Sequence, residues 1–244
     1  MNRTHRSKRC AILQSNYIPW KGYFDLINSV DEFVIYDNVQ YTKNDWRNRN
    51  KIKTAQGVKW LTIPVSCNDR LNKRIDEIEI ADSSWSKKHW TTISQSYSRS
   101  KHFHKCKMPF EEFYAKTDLR KLTDINLELI RIINSMLGIK TVIRNINEFA
   151  ISGDRVQRLV DICKNLNADT YISGPAAKDY IDQSLFDEAG IKLEWMNYSD
   201  YPEYSQMHPP FSHAVSVLDL IFNEGEDAPK YMKSFCERVK SVAK

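Results

Sequence analysis

The feature that most constrains the fold is a strand, a helix and a second strand close together near the start of the chain. Residues 9–14 form a short apolar run, and residues 32–37 are rich in β-branched and aromatic side chains. Between them, apolar residues at positions 20, 23, 24, 27 and 30 follow the i, i+3, i+4, i+7 spacing of an amphipathic helix. A strand, helix and strand in this order predict a parallel pair with a right-handed crossover.

The same alternation of strands and helices returns in the second half of the chain. Strands are predicted over 141–144, 170–173 and 192–196, and helices over 155–166, 175–181, 212–222 and 228–243. The middle of the chain is less regular, with strands predicted over 59–65 and 75–80 and helices over 84–98, 110–116 and 119–137. Gly138 is placed as the C-cap of the last of these helices.

These elements predict an α/β fold, with a mostly parallel sheet, helices on both of its faces and an irregular helical insertion in the middle. Residues 1–9 are predicted to be a disordered basic tail, because four of them are Lys or Arg. Residues 10–244 contain no repeat and no linker, so they are predicted to form one continuous domain.

Composition excludes several classes of protein and site. Five cysteines, scattered and odd in number, argue against a disulfide framework, and there is no CxxC pair. The close histidine pair His102 and His104 is better explained by a surface loop, so no metal site is predicted. No apolar run is long enough to cross a membrane or to serve as a signal peptide, which predicts a cytoplasmic protein.

In open parallel sheets, ligands bind beyond the carboxyl ends of the strands. This rule selects four segments, 14–20, 37–50, 173–178 and 197–211, in which polar and aromatic residues concentrate. Arginine forks and helix N-termini in these segments suit phosphate, aromatic rings suit a sugar or a base, and amides suit hydroxyl groups. The predicted substrate-binding residues are Gln14, Asn16, Tyr17, Trp20, Gln40, Trp46, Arg47, Asn48, Arg49, Ser173, Gly174, Lys178 and Tyr180.

Three residues are candidates for catalysis. His208 lies in a polar, aromatic loop and has the side chain whose ordinary pKa is closest to neutrality. Asp37 follows a buried strand directly, where a carboxylate suits a general base, and Lys43 completes the predicted set. The chain has no GxSxG, Walker A, GxGxxG or HExxH motif, so the best-known hydrolase, kinase, dehydrogenase and metalloprotease signatures are absent.

The same segments resemble a known family. The blocks are QSNYIPWKGYF from Gln14, FVIYDNVQYTK from Phe33, WRNRN from Trp46, SGPAAKDY from Ser173 and SVLDLIFN from Ser216. Together they resemble the WbqC-like proteins and span nearly the whole chain. Two positions depart from the usual pattern, because Leu13 and Ser15 stand where the resemblance leads us to expect His and Pro. If the usual histidine is catalytic, this chain differs in chemistry or relies on His208.

The resemblance implies an enzyme of bacterial O-antigen or other surface polysaccharide biosynthesis, with N-acyl or aminoacyl transfer of a glycine type to a nucleotide-linked amino sugar. A nucleotide-linked sugar is the expected partner. The cofactor stays open between ATP and an activated acyl or aminoacyl donor, including a charged tRNA. Alternatives are an ATP-dependent ligase or nucleotidyltransferase-like enzyme, a glycosyltransferase, and, in a different class, a nucleic-acid-binding protein.

Overall fold

The computed structural model describes residues 7–66 and 72–236. The strands are β1 (Arg9–Leu13), β2 (Glu32–Ile35), β3 (Arg49–Thr54), β4 (Gly57–Thr62), β5 (Val142–Asn145), β6 (Thr170–Ser173) and β7 (Lys192–Trp195). The α-helices are α1 (Lys21–Asn28), α2 (Trp85–Tyr97), α3 (Phe103–Cys106), α4 (Met108–Lys116), α5 (Leu122–Leu137), α6 (Arg155–Asn165), α7 (Gln183–Glu188) and α8 (Val217–Glu224). The chain groups into a sheet unit, residues 1–14, 26–36 and 140–200, and a helical unit, residues 15–25, 37–139 and 201–244.

The sheet unit contains a five-stranded parallel sheet in the order β5-β2-β1-β6-β7. The predicted α/β fold with a parallel sheet is therefore confirmed. The connection from β1 to β2 and those from β5 to β6 and β6 to β7 run in opposite directions across the sheet. Right-handed crossovers then place their helices on opposite faces. The strand order changes direction beside β1 and β6, whose carboxyl ends are followed by Gln14 and Gly174.

The start of the described chain is tied into the sheet unit. The backbone N–H of Lys8 donates to the Asp169 carboxylate at 2.7 Å, and β1 begins at Arg9. The Lys8 amine also contacts the Glu32 carboxylate, which accepts from Arg144 as well. The predicted tail, residues 1–9, lies largely outside the described residues, which begin at residue 7, so the tail stays a prediction. The one-domain prediction for residues 10–244 stays a prediction.

The helical unit contains α2 to α5, α8 and an antiparallel hairpin of β3 and β4. Phe222 of α8 contacts aromatic rings from three other helices, with centroids 5.0 Å from Phe103, 5.4 Å from Tyr97 and 5.7 Å from Phe110. These rings form the aromatic core of the unit, because each of the four side chains is buried. The middle of the chain is mainly helical, as predicted, but the hairpin makes it more regular than expected.

Several predicted elements need correction. Residues 75–80 were predicted to be a strand, but Ile75–Glu77 is a 3-10 turn and Ile80 makes an isolated bridge with Val65. Residues 175–181 were predicted to be a helix, but Pro175–Asp179 is a 3-10 helix. The helix expected to start at residue 212 starts at Val217, because Ser216 is the N-cap. The last predicted helix begins as the 3-10 helix Gly225–Tyr231, and its residues after 236 lie outside the described residues.

Helix α5 ends as the sequence predicts, and its cap provides a clean stability test. Gly138 has φ +72°, in the left-handed region, and an added Cβ would meet no atom within 4 Å. Gly138→Ala should therefore destabilise the protein by about 1 kcal/mol through backbone conformation alone. Urea unfolding measures the effect, with Glu128→Ala, at a partly exposed position of the same helix, as the control. Equal midpoints for both variants would contradict the assignment.

Candidate functional site

The loop formed by residues 15–20 is anchored at its start by Asp37. The Ser15 backbone N–H donates to Asp37 Oδ1 at 2.8 Å, and the Ser15 hydroxyl donates to Asp37 Oδ2 at 2.6 Å. Thr123 of α5 donates to the same Oδ2 at 2.7 Å. Proline at position 15 would remove both Ser15 donors, so the serine found here is matched to the buried carboxylate. Burial raises the pKa of Asp37, against these hydrogen bonds and the charge of Arg47.

The middle of the loop is held in an unusual backbone conformation. Ile18 is fully buried and has φ +36°, which is rare for a β-branched residue and costs on the order of 1–3 kcal/mol. The side-chain amide of Asn50, on β3, donates to the carbonyl oxygens of Tyr17 and Ile18, each at 3.0 Å. The strain is therefore maintained by a specific buried side chain, as is typical of functional sites.

Two of the four segments selected from the sequence, the loop and the segment after Asp37, lie in contact. The Tyr17 N–H donates to the Trp46 carbonyl at 3.0 Å, and the Arg47 guanidinium donates to Asn16 Oδ1. Asn126 of α5 donates to the Arg47 carbonyl at 2.9 Å. Asn16 Oδ1 thus accepts from Arg47, and Asn16 lies before the start of α1 at Lys21.

Trp20 lies directly over the first turn of α1. An added Cβ on Gly22 would come within 2.3 Å of the Trp20 ring, so only glycine allows this close approach. The ring also has an edge contact with Tyr201, whose centroid lies 5.8 Å away. The position of Trp20 is therefore set by the glycine backbone and by an aromatic neighbour.

The segment 201–216 reaches the same place and is held by a second buried carboxylate. Asp219 accepts hydrogen bonds from Tyr204 at 2.7 Å and from Tyr97 at 3.0 Å. Burial raises the pKa of Asp219, and the bonds from both tyrosines oppose the rise. At the end of the segment, the Ser216 N–H donates to the Lys51 carbonyl on β3. This segment is therefore pinned at both ends.

These three segments enclose a cavity of about 310 Å³ in the helical unit. Aromatic, amide and imidazole groups share its wall, which suits a small, partly apolar ligand with a few polar groups. The lining residues are Asn16, Pro19, Trp20, Trp46, Asn50, His213 and Ala214. We call this the Trp20–Trp46 cavity. Three of the predicted substrate-binding residues, Asn16, Trp20 and Trp46, therefore meet at one site.

His213 is the titratable group of this cavity, and the sequence analysis did not identify it. Its ring packs edge-on against Phe211, with centroids 4.6 Å apart, and its buried Nδ1 has no hydrogen-bond partner among the described residues. Burial lowers the pKa of His213, the charge of Lys21 lowers it further, and Glu203 opposes both. A neutral imidazole at neutral pH follows, which is the form that accepts a proton.

Lys21, which acts on His213, is itself buried. Its amine donates to the Pro202 carbonyl at 2.9 Å and lies over the rings of Tyr201 and Tyr204, 4.9 Å and 5.3 Å from their centroids. Burial lowers the pKa of Lys21 to about 8, although nearby carboxylates raise it. Below that pH the lysine keeps a positive charge behind the cavity.

The other predicted residues of the helical unit lie elsewhere or serve the fold. His208 lines a different cavity, with Lys59 and Arg99. Tyr17 is fully buried, with its hydroxyl bonded to His89 and Tyr114, and the Asn48 side chain donates to the Ile63 carbonyl. Gln40 and Lys43 are exposed, and Arg49 lies on the outer face of the hairpin over Trp60. Asp37 acts as an anchor of the loop.

The remaining predicted residues belong to the sheet unit. Ser173 is buried, and the 3-10 helix after it has Gly174 as its N-cap without a side-chain cap. Lys178 lies over the Trp195 ring at 5.5 Å, and the guanidinium of Arg155 lies over Tyr180 at 3.4 Å. Gln14 follows β1 directly and lies beside the point where the strand order changes. The α-helix expected after Ser173 is wrong, because a 3-10 helix begins there with Gly174 as its N-cap, and the substrate-binding role of these residues stays a prediction.

Among the described residues, no group of three or more His, Cys, Asp or Glu side chains is arranged to hold a metal ion. Within residues 7–66 and 72–236, no helix combines the length and apolar character needed to cross a membrane.

Comparison with known proteins places the site in a family context. Residues 14–231 match the model of the WbqC-like protein family. Over 231 residues the chain is 43% identical to a protein of Mycobacterium tuberculosis (strain ATCC 25618 / H37Rv) described as "Uncharacterized protein Rv1507c", a match that covers 95% of this chain and 100% of that protein. No solved structure matches the chain. All residues that line the Trp20–Trp46 cavity fall inside the matched range.

Proposed function

Because this chain belongs to the WbqC-like protein family, we propose that it is an enzyme that transfers an acyl or aminoacyl group to the amino group of a nucleotide-linked sugar. The observation that carries the proposal is a histidine with a lowered pKa in the wall of an aromatic cavity. The amino group must lose a proton as it forms the new C–N bond, and His213 is the group in this wall that can accept one.

The cavity also supplies the other groups that the reaction requires. The rings of Trp20 and Trp46 offer apolar faces to the C–H groups of a deoxy sugar. The amide oxygen of Asn16 is taken by Arg47, which leaves its NH₂ group as a donor. Such a donor suits the oxygen of a tetrahedral intermediate, where negative charge develops. At about 310 Å³, the cavity is at the small end for ligand sites and fits one sugar ring better than a whole nucleotide sugar.

The proposed reaction is balanced as follows. The amine nitrogen of the sugar attacks the carbonyl carbon of an activated ester or thioester, and a C–N bond forms. The bond from that carbon to the leaving oxygen or sulfur breaks, and His213 passes the proton from the amine to the leaving group. The setting of surface polysaccharide biosynthesis comes from the family resemblance and is part of the proposal.

Turnover by the purified protein tests the proposal. The protein is incubated with a nucleotide-linked amino sugar and either glycyl-tRNA or an acyl thioester, and the nucleotide sugar is analysed by mass spectrometry. We expect it to gain one acyl group, and the matched sugar with a hydroxyl in place of the amine to stay unchanged. If the reaction instead consumes ATP and releases AMP or pyrophosphate, the protein is an ATP-dependent ligase and the proposed transfer is wrong. Absence of product with every donor, together with no thermal shift by the amino sugar, would refute the proposal.

A further inference from the structure

Two tryptophan rings on the β3–β4 hairpin and the turn before it are exposed although they contact each other. Trp46 is 42% exposed and Trp60 is 40% exposed, and their ring centroids lie 5.4 Å apart with an interplanar angle of 34°. Val58, on the same side of β4, is exposed as well. Adjacent apolar side chains left in water are typical of binding surfaces. We call these two rings the tryptophan pair.

Two cations lie against the tryptophan pair. The guanidinium of Arg49 lies 4.3 Å from the Trp60 centroid, and the Lys51 amine lies 4.9 Å from the same ring and 5.9 Å from Trp46. Lys51 and Trp60 are direct partners in the register of the hairpin. The nearby carboxylate of Asp45 is occupied by Thr42 and the Trp46 N–H and lies 3.6 Å from Arg47. The surface is therefore aromatic and positively charged.

The tryptophan pair is continuous with the Trp20–Trp46 cavity through Trp46 itself. Trp46 lines the cavity and also contacts Trp60. On β3, Asn50 lines the cavity, while its neighbours Arg49 and Lys51 contact the tryptophan pair, as the alternation of side chains along a strand requires. A ligand that fills the cavity can thus extend past Trp46 to the outer face of the hairpin.

We infer that this face binds the nucleoside diphosphate part of the substrate, with the base on the tryptophan pair and the phosphates beside Arg49 and Lys51. A base is a planar ring that stacks on indole, and phosphate oxygens accept hydrogen bonds from guanidinium and ammonium groups. The Arg49 guanidinium already donates to the Asn44 carbonyl at 2.6 Å, and its charge is among the causes that lower the pKa of Asp45 against the effect of burial. A sugar chain without charge would offer Lys51 no counter-charge. The inference rests on the proposed function, because it assigns the larger part of the same substrate.

Equilibrium binding of free nucleotide tests the inference without any acyl transfer. Uridine diphosphate and thymidine diphosphate are titrated into the protein by calorimetry, and indole fluorescence is followed in parallel. Trp60→Ala should weaken binding by about tenfold, which is the usual effect of losing one stacked ring. Trp60→Phe should retain part of the affinity. Lys51→Ala should weaken binding and flatten its dependence on salt.

Lys59→Ala is the matched control, because Lys59 is exposed on the same hairpin but lines the cavity of His208. It should leave the nucleotide affinity unchanged within about twofold, which separates a specific site from general attraction of anions. Melting curves identify any variant that fails to fold. Unchanged affinity in both Trp60→Phe and Lys51→Ala would overturn the inference.

Binding of a single-stranded RNA oligonucleotide tests the alternative that this face binds nucleic acid. If it binds with a steep salt dependence while both free diphosphates fail to bind, the face holds a nucleic acid strand and the inference is wrong. Acyl transfer that persists in Trp60→Ala with unchanged KM would also refute the inference and leave the proposed function standing. The opposite outcome is also distinguishable. If the parent protein binds nucleotide and Trp60→Ala does not, but the parent acylates no amino sugar, the nucleotide site is supported and the proposed function is refuted.

Discussion

His213→Ala should lower kcat for acylation of the amino sugar by about 10²- to 10⁴-fold, which is the usual contribution of a general base. The imidazole is the group in the wall of the Trp20–Trp46 cavity that can accept the proton of the amine. KM should change little, because the two tryptophan rings that hold the sugar remain. Steady-state kinetics on the purified variant measures both constants, and a melting curve confirms that the variant is folded.

His208→Ala is the matched control, and it also tests the histidine predicted from the sequence. His208 lines a separate cavity, with Lys59 and Arg99, so its loss should leave kcat within about twofold of the parent. If His213→Ala is active and His208→Ala is inactive, the reaction takes place at the cavity lined by His208, and the proposed role of His213 is wrong.

The pH profile gives an independent check on the same residue. Because burial and Lys21 lower the pKa of His213, its imidazole stays neutral down to a pH below the ordinary histidine value of about 6.5. In the pH profile of kcat/KM, the midpoint of the acid limb should therefore lie below pH 6.5. Lys21→Met removes the positive charge, so the pKa of His213 should rise and the limb should move to higher pH. An unmoved limb would show that another group titrates.

Asp37→Ala should cost roughly 3–5 kcal/mol of unfolding free energy, which is the largest stability effect expected at the site. The carboxylate accepts three hydrogen bonds, two from Ser15 and one from Thr123, and alanine leaves all three buried donors without it. The loop 15–20 would lose its first anchor. Urea unfolding measures the change, and an effect below 1 kcal/mol would contradict the proposed anchor.

Asp37→Asn separates anchoring from catalysis. The amide keeps the shape of the carboxylate and can still bond the two hydroxyl groups, so most stability and activity should remain. Loss of activity with full stability would support Asp37 as a base instead.

The pH dependence of stability should also differ between the parent protein and Asp37→Asn. Because the folded pKa of Asp37 is raised, its contribution to stability is greatest below the ordinary value of 3.8 and is lost as pH rises through the folded pKa. Relative to Asp37→Asn, the parent protein should therefore gain stability on acidification.

The parts of the fold that the sequence predicted well have strong local patterns. Helix α5 could be predicted because its apolar residues repeat with helical spacing and Gly138 supplies the left-handed cap. In the hairpin, the strand predicted over 59–65 corresponds to β4, but β3 was missed because it carries lysine, arginine and asparagine, and those side chains resemble a loop. Residues 75–80 alternate like a strand, but they find only isolated bridges as partners, so a 3-10 turn forms instead.

The candidate site shows the same limit. Asn16, Trp20 and Trp46 could be predicted because polar and aromatic residues concentrate after predicted strands, and they do line one cavity. His213 was missed because it falls in the helix predicted over 212–222, outside the polar segment 197–211 that contains His208, whereas the helix begins only at Val217. What separates them is long-range packing, in which the Ser216 N–H reaches the Lys51 carbonyl and Lys21 lies close enough to influence the imidazole.

The two compact units are threaded by a single backbone that passes from one to the other after residues 14, 25, 36, 139 and 200. Neither can consequently be expressed as one uninterrupted fragment, since each is assembled from three separate stretches of the gene. During synthesis the sheet cannot receive its final strands, β6 and β7, until the ribosome has passed Trp195, after the whole of the segment 37–139. Completion of that sheet must therefore come late, which makes a truncated product of this gene a poor candidate for independent folding.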